Sequence, residues 1–198
     1  MILIHVDDFL NPSPVRYAKG RASPEGFWED TYNYPALNDR LLAPLGPHGD
    51  GWYSPASYDS ETDLEAEVEA LWAPSDALVV VEGMFLHRDE LVSHWDASVF
   101  LDVPFTETAA RMAIRNGSNP DPEHPTMRRY VGGQRLYFEA ARPWERATFV
   151  VDNFDFASPR LIHPGVVSVV RLRVTQTGWR DSLSENLNLP WPRCLAGS

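Results

Sequence analysis

Two carboxylates and a set of arginines are the residues of this chain best suited to do chemistry together. Ala77 to Gly83 reads Ala-Leu-Val-Val-Val-Glu-Gly, and the chain opens Met-Ile-Leu-Ile-His-Val before Asp7 and Asp8. The Ala77 to Gly83 run predicts a strand buried on both faces and the opening run a short buried strand, each with an acid at its carboxyl end, and Gly83 lets the chain turn away. In open α/β sheets ligands bind beyond that edge, which places Asp7 and Glu82 side by side there. If the first strand persists through Asp8, its two aspartates point to opposite faces and one serves the site. Arg111 and Arg115 stand one helical turn apart, and Arg128 and Arg129 follow a loop rich in Gly, Pro and Asp. Carboxylates opposite arginines suit phosphoryl transfer. One acid accepts the proton of an attacking hydroxyl, another organises Mg²⁺ through water, and guanidiniums neutralise the transferring group. Taken singly, a strand-ending acid also fits a solvated turn and an arginine pair a solvated helix face. The joint arrangement favours the chemistry.

The elements that must hold these residues alternate. After the first strand comes a basic run, Arg16 to Arg21, and then a helix start with Ser23 as cap and Pro24 in the first turn. Phe27, Trp28, Tyr32, Leu37, Leu41 and Leu42 recur at helical spacing, with a break expected near Pro35. Gly51 to Asp63 reads as an excursion with a short hairpin around Trp52-Tyr53 and Ser57-Tyr58-Asp59, and Leu64 to Trp72 as a short acidic helix. His87 to Trp95 is expected as a helix, Ala97 to Val103 as a third strand, and Pro104 opens the helix of Arg111 and Arg115. A lid-like loop spans 116–126, Thr126 to Ala141 returns to helix, and Ala147 to Val151 is a fourth strand ending in Asp152-Asn153. Val166 to Val174 reads as a last strand and 175–198 as a loose tail. The alternation predicts one α/β domain over 1–174, a parallel sheet with helices on both faces.

Composition sets limits. A net charge of −11 argues against a general nucleic-acid or anionic-membrane binder. The single cysteine excludes an internal disulfide, and six scattered histidines show no metal spacing. With no signal-like segment or membrane-length apolar run, the expected location is the cytoplasm.

Val6-Asp7-Asp8-Phe9-Leu10, Ser23-Pro24-Glu25-Gly26-Phe27, Tyr58-Asp59, Val79-Val80-Val81-Glu82-Gly83, Val99 to Pro104 and Val150-Val151-Asp152-Asn153 resemble the uridine kinase branch of the P-loop kinases. The likeness covers Ile2 to Asn153, and the order and spacing of these segments are more specific than any one of them. It implies a P-loop NTPase-like fold with three layers, α/β/α. It implies ATP and Mg²⁺ as cofactors and a nucleoside or similar small metabolite as acceptor. Asp7 matches the family's general base, Glu82 the acid that positions Mg²⁺ through water, and Arg111 and Arg115 the lid-helix arginines that grip ATP. Arg128 and Arg129 match that last role more loosely. Tyr58, Arg21 and His87 are the candidate acceptor contacts, although the position of His87 favours a cap for the next helix over a substrate contact.

Two departures stand out. The family's first strand and phosphate loop, G-x-x-x-x-G-K-[S/T], belong roughly two dozen residues before Asp7, and this chain starts too late to hold them. No later run replaces the loop, since Gly46 to Gly51 and Gly132-Gly133 lack a following Lys-Ser or Lys-Thr. Ala22 also stands where the family carries an aspartate for the ribose hydroxyls. The expectation is an ATP-dependent kinase of small alcohols that is inactive without its loop. The alternatives are a non-catalytic relative that binds a metabolite or a protein, and a phosphate-ester enzyme using Asp7 and Glu82 with a metal. Removing a central strand should leave an unpaired edge or an uncovered apolar face, which aggregation or a homo-oligomer would hide.

Overall fold

The computed structural model describes residues 1–169. The expected tail and the part of the expected last strand beyond Val169 lie outside them. Strand β1 (Ile2–His5) leads into a 3-10 turn (Val6–Phe9) that carries both aspartates. Helix α1 (Ser13–Arg16) and helix α2 (Pro24–Asp30) follow, and the Ser23 hydroxyl accepts from the Gly26 N–H at 3.0 Å, as its cap position requires. Asn33 caps α3 (Tyr34–Leu37), so the break falls just before Pro35. A π-turn (Asn38–Leu42) joins α3 to α4 (Ala43–Leu45).

Residues 46–78 depart from expectation. Strands β2 (Trp52–Tyr53), β3 (Tyr58–Asp59), β4 (Leu64–Glu65) and β5 (Leu71–Trp72) pair antiparallel, β2 with β5 and β3 with β4. The expected helix from Leu64 to Trp72 is therefore absent. Its residues favour a helix, but Leu64, Leu71 and Trp72 find no buried face, and the Arg40 guanidinium and the Ser57 carbonyl hold Ala66 extended.

Strand β6 (Val79–Glu82) lies parallel to β1, with His5 opposite Glu82. A second parallel pair forms from β7 (Val99–Asp102) and β8 (Phe149–Asp152), extended by the antiparallel β9 (Arg160–Leu161). Between these strands run α5 (Phe105–Asn116), α6 (Arg128–Ala141) and α7 (Pro143–Arg146). The expected helix from His87 to Trp95 is reduced to a 3-10 turn at Val92–His94. Phe85 has φ 67° and the Trp95 indole donates to the Leu86 carbonyl at 2.8 Å, which closes this segment as a compact loop. At Pro164–Val166 a 3-10 turn replaces the start of the expected last strand.

The core lies on one side of the strands. Ile2, Ile4, Val79 and Val81 pack with Phe27, Phe85 and Tyr137, while Phe100 and Val150 pack with Trp144. Phe138 of α6 touches both groups and ties the two half-sheets to one helix. Helices α2 and α6 approach closely because Gly132 and Gly133 face Pro24 and Phe27, where a Cβ would stand 2.7 and 2.6 Å from those side chains. On the other side Leu3, Val80, Val99, Leu101 and Phe149 are exposed. The expected burial on both faces and the third layer are thus not present among the described residues, and β6 alternates between core and solvent. No helix of the described residues is long and apolar enough to cross a membrane.

Gly83 fixes the junction after β6. Its φ is 143°, and a Cβ there would lie 2.0 Å from Val6 Cγ1. Gly83→Ala is expected to cost roughly 2–5 kcal/mol from backbone strain plus overpacking. Thermal melting should show a Tm lower by about 5–15 °C; an unchanged Tm would contradict this packing.

Candidate active site

Pairing of β1 with β6 brings the first two carboxylates to one edge, as the sequence predicts. Because β1 ends at His5, strand alternation does not govern Asp7 and Asp8; the 3-10 turn presents both at the surface. The buried Tyr32 donates its hydroxyl to Asp7 Oδ1 at 2.8 Å. Burial and the Asp7 charge push the Tyr32 phenol far up, so it remains a proton donor. One carboxylate oxygen is thereby fixed while the residue stays open to solvent, a suitable state for receiving a proton from an incoming hydroxyl. Asp8 is pushed up by partial burial and by the Asp7 and Glu82 charges, with His5 opposing.

Glu82 Oε1 bonds His5 Nδ1. That hydrogen bond raises the imidazole above its ordinary value of 6.5. A raised folded-state value stabilises the fold below the unfolded value, and the contribution fades as pH rises through the raised one. In an NMR titration His5 should therefore titrate above its ordinary value in the wild type and return towards it in Glu82→Gln. A His5 midpoint unaffected by that change would remove the pairing.

Beside this edge Tyr58, a candidate from the sequence, and Arg16 join a network whose connections the sequence did not reveal. Ser57 N–H donates to the Asp8 carbonyl at 2.9 Å and so ties β3 to the aspartate turn. Next to it, Tyr58 donates to Asp63 Oδ1 at 2.8 Å and accepts from Arg16 Nη2 at 2.9 Å. Asp63 also accepts from Arg16 Nη2 at 2.9 Å and from the Ser13 N–H at 3.0 Å. These donors hold its carboxyl far below the usual range. Only the local signal of Asp63, a non-glycine residue with φ 56°, hints at a special position, and that angle is invisible in the sequence.

The remaining candidates divide. Arg21 stacks on the Tyr17 ring, 4.7 Å from its centroid, in the same region as Arg16. Arg129 is buried beside the same ring, whereas Arg128 is exposed. Arg111 bonds Glu107 at 2.7 Å and the Asn153 and Phe154 carbonyls at 3.0 and 2.6 Å, so it pins the loop after β8. Arg115 is exposed near the end of the same helix. His87 is buried, with Nδ1 3.3 Å from the Tyr137 hydroxyl and its carbonyl bonded by Arg146, so its hydrogen-bond partners lie in α6 and α7. Burial and Arg146 lower its pKa. A cavity of about 170 Å³ lined by Trp28, Arg88, Glu90 and Ala140 is a poor site, because Arg88 already pairs with Glu90 through two bonds. The described residues contain no group of three His, Cys, Asp or Glu arranged to hold a metal ion.

No protein-family model matches the chain, and no curated protein matches it in sequence. Among solved structures, a possible uridine kinase from Bacillus stearothermophilus superposes with a TM-score of 0.57. The match covers 75% of this chain and 70% of that one at 24% identity. At that identity the likeness establishes the fold, a mixed α/β arrangement with parallel strands and helices.

Proposed function

We propose that this chain forms the acceptor half of an ATP-dependent phosphotransferase of the uridine kinase type, acting on a hydroxyl of a nucleoside or similar small metabolite. The observation that carries the reading is Asp7, held by Tyr32 at the edge it shares with Glu82, on a fold similar to that of a possible uridine kinase. With ATP bound, Asp7 would be the group to take the acceptor hydroxyl proton, while the nucleotide would supply the phosphoryl group and leave as ADP. Tyr32 orients the carboxylate. Arg115 and Arg128, both exposed, remain available to nucleotide phosphates.

A lone carboxylate paired with a histidine is not a metal cage. Glu82 is the residue that would hold Mg²⁺, through water. The ion would offset charge on the phosphates. The 198 residues contain no G-x-x-x-x-G-K-[S/T] run to cradle the nucleotide phosphates. That same fact favours a second reading, a kinase-fold protein that binds a metabolite without transferring phosphate. Under both readings the acceptor binds, and calorimetry with nucleosides, sugars and pantothenate-like alcohols tests the site they share. At least one alcohol is expected to bind, and Asp7→Asn to weaken it about tenfold or more, the loss of one charge-assisted hydrogen bond. Binding of none, or equal binding by the variant, would remove the site.

A further inference from the structure

Three guanidiniums converge on one tyrosine ring in a chain of net charge −11. The Cζ atoms of Arg21 and Arg129 each lie 4.7 Å from the Tyr17 centroid, and that of Arg16 lies 5.6 Å away. Among the described residues Asp63 alone forms an ion pair with this trio, through Arg16. Arg129 is 7% exposed and donates from Nη2 to the Arg16 carbonyl at 3.2 Å, while its Nη1 is buried with no hydrogen-bond partner. Arg16 Nε is buried and unpartnered as well. Asp30 acts on Arg129 only from a distance, and a buried cation with no direct ion pair is costly, whereas an apolar side chain would pack the α2–α6 contact without that cost. An incoming anion removes the penalty, and guanidinium forks are well matched to oxyanions.

We propose that Arg129, with Arg16 and Arg21 around Tyr17, forms a subsite for an oxyanion, a phosphate or carboxylate group carried by the acceptor. Arg16 connects this subsite to Tyr58, and β3 is tied to the turn of Asp7 and Asp8 through Ser57. The acceptor class is thus a hydroxylated metabolite with an anionic group, its hydroxyl directed to Asp7 and its anion to Arg129. This rests on the acceptor reading above, yet anion binding needs neither ATP nor transfer.

Thermal melting and calorimetry of the 198-residue chain with inorganic phosphate, and separately with acetate, provide the test. At least one anion should raise Tm, and the stronger of the two identifies the group. Arg129→Met should abolish the shift while its ligand-free Tm stays equal to or above that of the wild type, because it removes a buried charge with no direct ion pair and with Nη1 unpartnered. Arg21→Gln, a change at an exposed side chain that leaves the fold intact, should weaken the anion by about ten- to a hundredfold. No shift with either anion, a shift unchanged in both variants, or an Arg129→Met chain that melts lower yet still binds the anion would overturn the subsite. Anion binding without binding of any alcohol would sink the acceptor reading alone. Alcohol binding at Asp7 without anion binding would sink the subsite alone.

Discussion

In a form of the protein that carries a G-x-x-x-x-G-K-[S/T] loop, phosphorylation of a hydroxylated metabolite is expected, and Asp7→Asn should lower that turnover by roughly 10²–10⁴-fold. The size follows from the role. A carboxamide cannot accept the hydroxyl proton, whereas Tyr32 can still donate to its oxygen, so geometry survives and proton transfer does not. ATP affinity should change little, since the proposed role of Asp7 is towards the acceptor. Arg115→Ala should have the complementary effect on the nucleotide side, because its helix flanks the lid-like loop. Steady-state rates at saturating and limiting ATP separate the two. Without the added loop the same assay should show negligible transfer, because preorganised donors to the β- and γ-phosphates are worth several kcal/mol in the transition state.

The second large effect concerns association. Leu3 pairs with Val80 across β1 and β6, and Val99 with Phe149 across β7 and β8, yet Leu3 is 51% exposed and Val99 52%. Leu78 and Leu101 are exposed beside them. Completing the burial of such half-covered side chains is worth about 1 kcal/mol each, enough together to drive self-association. The hydrogen-bond order places β6 and β7 in separate sheets, with β1 and β8 as their respective partners. The isolated chain should therefore form oligomers or aggregates and bind a hydrophobic dye. Leu3→Lys combined with Leu101→Lys should shift light-scattering mass towards the monomer. A monodisperse wild-type monomer that binds no dye would show that this face is covered.

Much of the frame was legible in the sequence for local reasons. An unbroken apolar run closed by an acid and a glycine marked β6 and Glu82, and the Ser23-Pro24 pair marked the start of α2. What covers the second face of a strand is not encoded in the strand, so Val79-Val80-Val81 read as doubly buried although Val80 faces solvent. Leu64 to Trp72 misled because its helix preference is weaker than the pairing that residues 52–59 impose. The placement of the acids at one edge was legible in the sequence, and their partners were not. Tyr32 reaches Asp7 across 25 positions, Asp63 reaches Ser13 across 50, and Arg129 reaches Arg16 across 113. Such contacts come from folding, and no spacing rule anticipates them.

The most direct test of the central claim is a single-turnover experiment on the loop-supplied protein, preloaded with γ-labelled ATP and then mixed with acceptor. Donor binding is complete before the reaction starts, so the rate reports what Asp7 does to the hydroxyl. The predicted result is an Asp7→Asn protein that holds ATP as the wild type does and transfers the label at least about a hundredfold more slowly. Transfer by the variant at the wild-type rate would contradict the assignment of Asp7 as base.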